Sequence, residues 1–327
     1  MTTYFSDWIE KVYRRVNGTS IDVSVVLQGT ATLSGTSYSV DVLTNPISAT
    51  AQNLVVNASD AGVTALRVGA LLACEYELML VTGLASFGSY EIISVSRGYN
   101  GTTPTTHALS LPIYIQPRYN RFDIATSLND ELRRLSSPDN GLFRVNAQTV
   151  TYNPVYMGYD LTQAVNDNYI DILEVRHKIP FPSRNYPKIG KWKVLRSIPD
   201  ASIFPSGHGI VFYEGGYPGQ PVYIQYSAAF KEADLTNPTA FTTLDVTSFG
   251  MTDTMVDIPP LGVEIQLTLP REIRRNFTDI QPDPRKAPEV PSMAVSNSVQ
   301  AMQILYNQRV SEEAGRLARQ YTRTESW

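Results

Sequence analysis

The side chains able to do chemistry are few. The chain has three histidines, His107, His177 and His208, and one cysteine, Cys74. A zinc site needs about four nitrogen, sulfur or oxygen ligands at characteristic spacings. None of the three histidines has a second His or Cys nearby in sequence. A single thiol rules out an intramolecular disulfide and a cysteine-based metal site. Cys74 ends the apolar run Gly69–Cys74, where a small buried hydrophobe is expected.

The segment Ser206-Gly207-His208-Gly209 sets a hydroxyl near an imidazole. It lacks the G-x-S-x-G elbow, and the expectation is a turn. Paired carboxylates can cleave glycosidic bonds. Glu75 and Glu77 share a strand face at period two, and Asp167 lies close to Asp171 in sequence. Neither pair differs from solvated rim residues. Asp279, Asp283 and Glu289 lack calcium-loop spacing. Neither common glycine-rich phosphate cradle occurs. No catalytic residue, metal or cofactor is expected. The one basic concentration is Arg271, Arg274, Arg275, Arg285 and Lys286. It is either a solvated face or a contact patch for an acidic partner surface or passing DNA. Aromatic residues do not interleave with it, as a base-stacking site would require.

These residues must be carried by sizeable cores. The chain has 327 residues, 43% hydrophobic and 18% charged, with 19 Tyr and a net charge of −4. That length suggests two or three folded units, and the charge gives no global attraction to nucleic acid or acidic membranes. The start, Met1–Ser6, lacks the regions of a signal peptide. No stretch reaches the ~20 apolar residues of a membrane span. Synthesis in a cytoplasm and no membrane partner are the expectations.

Periodicity predicts a helix over 3–16, with Ser6 as cap and Trp8, Ile9, Val12, Tyr13 and Val16 as its apolar stripe. Strands are predicted at 21–27, 37–43, 53–56, 77–82, 90–96 and 112–116, with a tight positive-φ turn at Asn100-Gly101. A helix follows over 121–136. Strands return at 143–151, 169–176, 191–195, 209–212 and 221–228. Helical spacing resumes at Asp257-Ile-Pro-Pro-Leu261 and runs to Phe277, with Pro270 expected to kink or split it. Residues 280–291 are proline-rich and read as an extended arm. The last predicted helix spans 292–323, with Met302, Leu305, Tyr306, Val310, Ala314, Leu317 and Tyr321 on one face.

The expected organisation is a helix at 1–18, a first β domain at 19–118, a bundle helix at 119–140, a second β domain at 141–254, and bundle helices with the arm at 255–327. The fold class is α+β: a discontinuous helical bundle with two inserted β domains. The first would be a small β-barrel or sandwich and the second a β-sandwich.

Three stretches then resemble one family. Tyr76-Glu-Leu-Met-Leu-Val-Thr82, followed by Arg97-Gly-Tyr-Asn-Gly-Thr-Thr103 and His107-Ala108, resembles a strand-and-hairpin segment of tailed-phage structural proteins. Ser6–Arg14 resembles the opening helix of phage neck proteins. Asp257–Gly262, Arg271-Glu-Ile273, Pro288–Pro291 and Arg309–Leu317 resemble the end of head-to-tail connector proteins of long-tailed phages. The resemblance implies a structural adaptor in the virion neck. It would form a homo-oligomeric ring, dodecameric by family resemblance, beneath the portal protein and above downstream neck or tail proteins, close to packaged DNA. Arg271, Arg274, Arg275, Arg285, Lys286, Arg316, Arg319, Arg323 and Trp327 are the candidate partner contacts. The alternative is a tail, baseplate or head-decoration protein. A virion-associated glycan hydrolase is a minor alternative.

Overall fold

The computed structural model describes residues 2–17, 26–27, 31–32, 47–58, 66–108, 111, 113–117, 119–156, 158–178, 187–200, 202–214, 217–279 and 294–321. In chain order the elements are α1 (Phe5–Asn17), β1 (Val26–Leu27), β2 (Ala31–Thr32), β3 (Asn53–Asn57), β4 (Leu71–Cys74), β5 (Glu77–Phe87), β6 (Tyr90–Ser96), β7 (Ile113–Ile115) and α2 (Arg121–Leu135). There follow β8 (Arg144–Thr151), β9 (Tyr159–Asp160), α3 (Thr162–Asn166), β10 (Tyr169–His177), β11 (Trp192–Leu195), β12 (Gly209–Phe212), β13 (Pro221–Ala228), α4 (Ile258–Asp279) and α5 (Ala294–Gln320). Helices and antiparallel sheets together make this an α+β protein. Two compact units divide the chain. One comprises Met1–Asn129, Ala233–Asp245 and Pro259–Val299, the other Asp130–Glu232, Val246–Ile258 and Gln300–Trp327.

The first unit holds a sheet in the order β1-β7-β4-β5-β6-β3-β2. It is open among the described residues, which corrects the barrel option. Alternation along the strands sends Leu54, Val56, Leu72, Met79, Val81, Ile93 and Val95 into one core. Cys74 is fully buried in that core, as its apolar neighbours predict. β5 outruns its predicted end at Thr82. The register shifts between Val81 and Gly83, a bulge that lets pairing with β6 continue to Phe87.

Helix α1 buries Phe5, Trp8, Ile9, Val12 and Val16, while Tyr13 stays half-exposed. Ser6 lies within the helix and is not its cap. Tyr4 precedes the first helical residue, and Asp7 in the first turn reaches back to accept a 2.8 Å bond from the Tyr4 backbone N–H. Pro270 does not split α4, which stays helical from Ile258 to Asp279. Proline removes one backbone donor and crowds the preceding turn. The carbonyl that loses its helical donor is that of Gln266, and one residue further on the Leu267 carbonyl accepts from the Tyr119 hydroxyl at 2.6 Å.

The second unit holds two three-stranded antiparallel sheets, β10-β13-β8 and β11-β12-β9. Ile172, Val175, Trp192, Ile210, Ile224 and Tyr226, drawn from both sheets, share one core. Helix α5 presents to this unit the seam Tyr306, Val310, Glu313 and Leu317. Tyr306, Val310 and Leu317 are on the predicted face, and Met302, Ala314 and Tyr321 are half-buried; Leu305 alone departs from it, at 49% exposed, beside Ile304 at 61%. Two polar members anchor the seam. Tyr306 donates to buried Glu131 at 2.7 Å, and Glu313 accepts from Thr254 at 3.0 Å. The predicted strand at 37–43 lies outside the described residues.

Candidate functional site

The densest group of ionisable side chains lies in the first unit, where β5 begins and β6 has just ended. Glu77 opens β5 and Arg97 follows β6, so the β5–β6 ladder brings the two together. Arg97 donates from Nε to Glu77 Oε1 at 2.5 Å and from Nη2 to Oε2 at 2.6 Å. Its remaining N–H groups go to the carbonyls of Ser48 (2.7 Å), Ala51 (3.2 Å) and Thr105 (2.7 Å). All five guanidinium donors are therefore used. His107 enters from the far end of the loop, where it bridges to Ile47. Its Nε2 lies 2.9 Å from Glu77 Oε2 and its Nδ1 2.8 Å from Glu75 Oε2.

Burial raises the Glu77 carboxyl, but hydrogen bonds from Arg97 and His107 outweigh it and hold the group at about 2. Burial likewise lowers the His107 imidazole, and the neighbouring Cys74 sulfur and the bonds to Glu75 and Glu77 overcome that and carry it to about 11. Two cations thus face two carboxylates. The expectation that Glu75 and Glu77 share a strand face on a solvated rim is overturned. Glu75 sits in the turn after β4 with φ 52°, and the Glu77 side chain is fully buried. A lone buried carboxylate would be costly, and this one is retained because Arg97 and His107 neutralise it.

What this clamp does is hold a loop. Gly98 has φ 65°, and a Cβ there would stand 2.9 Å from the Thr102 carbonyl, so only glycine fits. Asn100 and Gly101 both have positive φ, 55° and 80°, and the Thr102 N–H returns to the Tyr99 carbonyl. The predicted tight turn is present. It is not a hairpin between paired strands, because β6 ends at Ser96 and the chain travels to β7 before pairing in that sheet again. Both oxygens of Glu77 and both ring nitrogens of His107 are bound within the chain, so neither is free to act on a substrate. The loop tip Tyr99–Gly101 is exposed on this rigid base.

The other candidate groups are separate. Ser206 bonds Asp160 Oδ1 at 2.7 Å, whereas the His208 ring bonds the Tyr169 hydroxyl at 2.8 Å. The serine hydroxyl meets the His208 backbone, at 2.9 and 3.1 Å, and not its ring, and the segment is a turn. Asp167 is held by Arg144 at 3.1 Å and by the Tyr226 hydroxyl at 2.6 Å, not by Asp171. A shallow cleft of about 340 Å³ lies over β10 and β13, lined by Glu174, Arg176, Lys178, Tyr223 and Gln225. Its carboxylate is neutralised by Arg176 and Lys188. Among the described residues no cluster of His, Cys, Asp or Glu is arranged to hold a metal, and no helix is long and apolar enough to cross a membrane.

Of the candidate partner contacts, Arg271, Arg274 and Arg275 fall on helical backbone of α4 at spacings that share a face. Arg316 bonds Glu313 at 2.7 Å and Thr252 at 2.9 Å. Arg319 bonds the Gly315 carbonyl of its own helix. Arg285, Lys286, Arg323 and Trp327 lie outside the described residues. Sequence reasoning missed the joining of Glu77 to Arg97 and His107. It also missed an aromatic cluster around Tyr159, for which the abundance of tyrosine was the available signal. Compared with known proteins, the chain matches no family model and no curated protein sequence.

Proposed function

We propose that this chain is a head-to-tail adaptor of a long-tailed bacteriophage, a structural subunit of a ring seated beneath the portal. In this reading the helical segments form a discontinuous bundle interrupted by two β domains, and the ring is dodecameric by family resemblance. The observation that carries it is the Glu77–Arg97–His107 clamp. The three residues lie in the segment on which the phage resemblance rests, and they bind one another rather than standing free for chemistry. A conformationally locked loop suits a subunit whose work is to present a fixed surface. Exposed Ile304 and Leu305 on α5 fit the same reading, since apolar groups of this kind are covered when subunits assemble.

Electron cryomicroscopy of the intact particle tests the proposal. Density for the β5–β6 hairpin and α5, repeated around the neck axis directly below the portal, is the expected result. The same density in the capsid shell, tail tube or baseplate would replace this reading with that of a decoration or tail protein.

A further inference from the structure

A chain of six rings crosses one end of the second unit. Tyr156 meets Tyr159 at 6.2 Å, Tyr159 stacks on Phe212 at 5.1 Å, and Tyr152 lies 6.3 Å from both Tyr159 and His177. His177 in turn meets Tyr217 at 5.5 Å. The backbone fixes the two loops that carry them. Tyr152 N–H donates to the Gln220 carbonyl at 2.8 Å, and Gly219 N–H donates to the Tyr152 carbonyl at 2.9 Å. The two ends of the row face solvent, Tyr156 being 62% and Tyr217 57% exposed. Next to Tyr217, His177 is only 5% exposed, and its Nδ1 has no hydrogen-bond partner among the described residues. That nitrogen is itself enclosed, so the surface an outside group meets here is made by the exposed tyrosine rings.

Exposed tyrosine rings at the two ends of such a row match a proline-rich strand. Proline rings pack on aromatic faces, and an extended proline-rich backbone leaves its carbonyls free to accept. This chain carries such a sequence at 280–291, with Pro282, Pro284 and the P-x-x-P pair Pro288 and Pro291. We propose that the tyrosine-lined face of one copy receives segment 280–291 of a second copy, its prolines packing on the exposed rings of Tyr156 and Tyr217. This contact rests on the reading that copies assemble side by side, and it names what links them.

Two full-length variants test it. The P282A/P284A/P288A/P291A chain keeps the tyrosine face and loses the prolines. The Y156A/Y217A chain keeps the segment and loses the exposed rings, and both residues are exposed enough to be replaced without opening the core. Each alone should not self-associate in sedimentation velocity, and their equimolar mixture should form a 1:1 complex. A synthetic peptide of residues 280–291 should bind the P282A/P284A/P288A/P291A chain saturably, bind at least tenfold more weakly once Y156A/Y217A is added, and recover with Y156F/Y217F. Absence of the mixed complex, or peptide binding indifferent to the tyrosines, would overturn the proposal. Rings that persist in the Y156A/Y217A chain would overturn this contact and leave the adaptor reading standing. A chain that binds the peptide but never forms rings would do the reverse.

Discussion

Arg97 grips the carboxylate of Glu77 through two N–H···O bonds of 2.5 and 2.6 Å, at the foot of the loop that displays Asn100 and Gly101. Both side chains are almost wholly buried, 6% and 0% exposed. The loop's shape therefore depends on an ion pair that has lost its water.

Breaking that pair from one side should be expensive. Arg97→Met leaves Glu77 buried with its main counter-charge gone. The expected loss is about 3–5 kcal/mol, the usual result of stranding one member of a buried pair. Urea denaturation followed by tyrosine and tryptophan fluorescence measures it. A loss below about 1 kcal/mol would place the pair in the class of solvated surface bridges.

The same network fixes a pH dependence. His107 titrates at about 11 in the folded chain against an ordinary 6.5. Its contribution is fully present below 6.5 and is lost as pH rises toward 11. Glu77 titrates at about 2 against 4.5, so its contribution is present above 4.5 and is lost as pH falls toward 2. Between pH ~7 and ~10 the melting temperature of the first unit should fall steadily, and His107→Gln should flatten that slope. Parallel profiles for the two proteins would show that His107 does not carry the effect.

Two glycines in the loop should rank differently. Gly101 has positive φ with open space around its Cβ position, so Gly101→Val meets only conformational strain, about 1–3 kcal/mol. At Gly98 the strain is joined by a clash with the Thr102 carbonyl and Pro104. Gly98→Ala should cost more than Gly101→Ala by thermal melting. The opposite order would mean that the backbone at Thr102 yields.

Local pattern was legible where one face of an element is buried and the other is not. β6 and β13 run as their alternation predicts because each lines a core on one side. Short β4 escaped notice because Leu71–Cys74 is apolar throughout and carries no alternation. The clamp escaped for a different reason. Arg97 and His107 stand 20 and 30 residues from Glu77, and only the sheet register joins them. The α5 face was legible at Tyr306, Val310 and Leu317 and missed only at Leu305, while buried Glu131, far away in sequence, supplies the acceptor for the Tyr306 hydroxyl.

The basic face of α4 offers a separate test of assembly. Replacing Arg271, Arg274 and Arg275 together with Gln keeps side-chain length and helix propensity similar. Charges on a solvated face or a contact patch contribute roughly 0–1 kcal/mol each to folding, so on either reading of the cluster the fold is expected to persist. Charge complementarity across an interface governs encounter and register. The triple variant should fold normally and yield full heads without stably attached tails. Wild-type numbers of tailed particles, at low and at moderate salt, would assign the arginines to a solvated face.

The adaptor reading is tested most directly by removing the chain from an infection and adding it back. Without it, DNA-filled heads and complete tails should accumulate separately, and adding the purified chain to that lysate should join them into infectious particles. Tailed particles formed in its absence, or a lysate in which heads or tails themselves fail to assemble, would contradict the account.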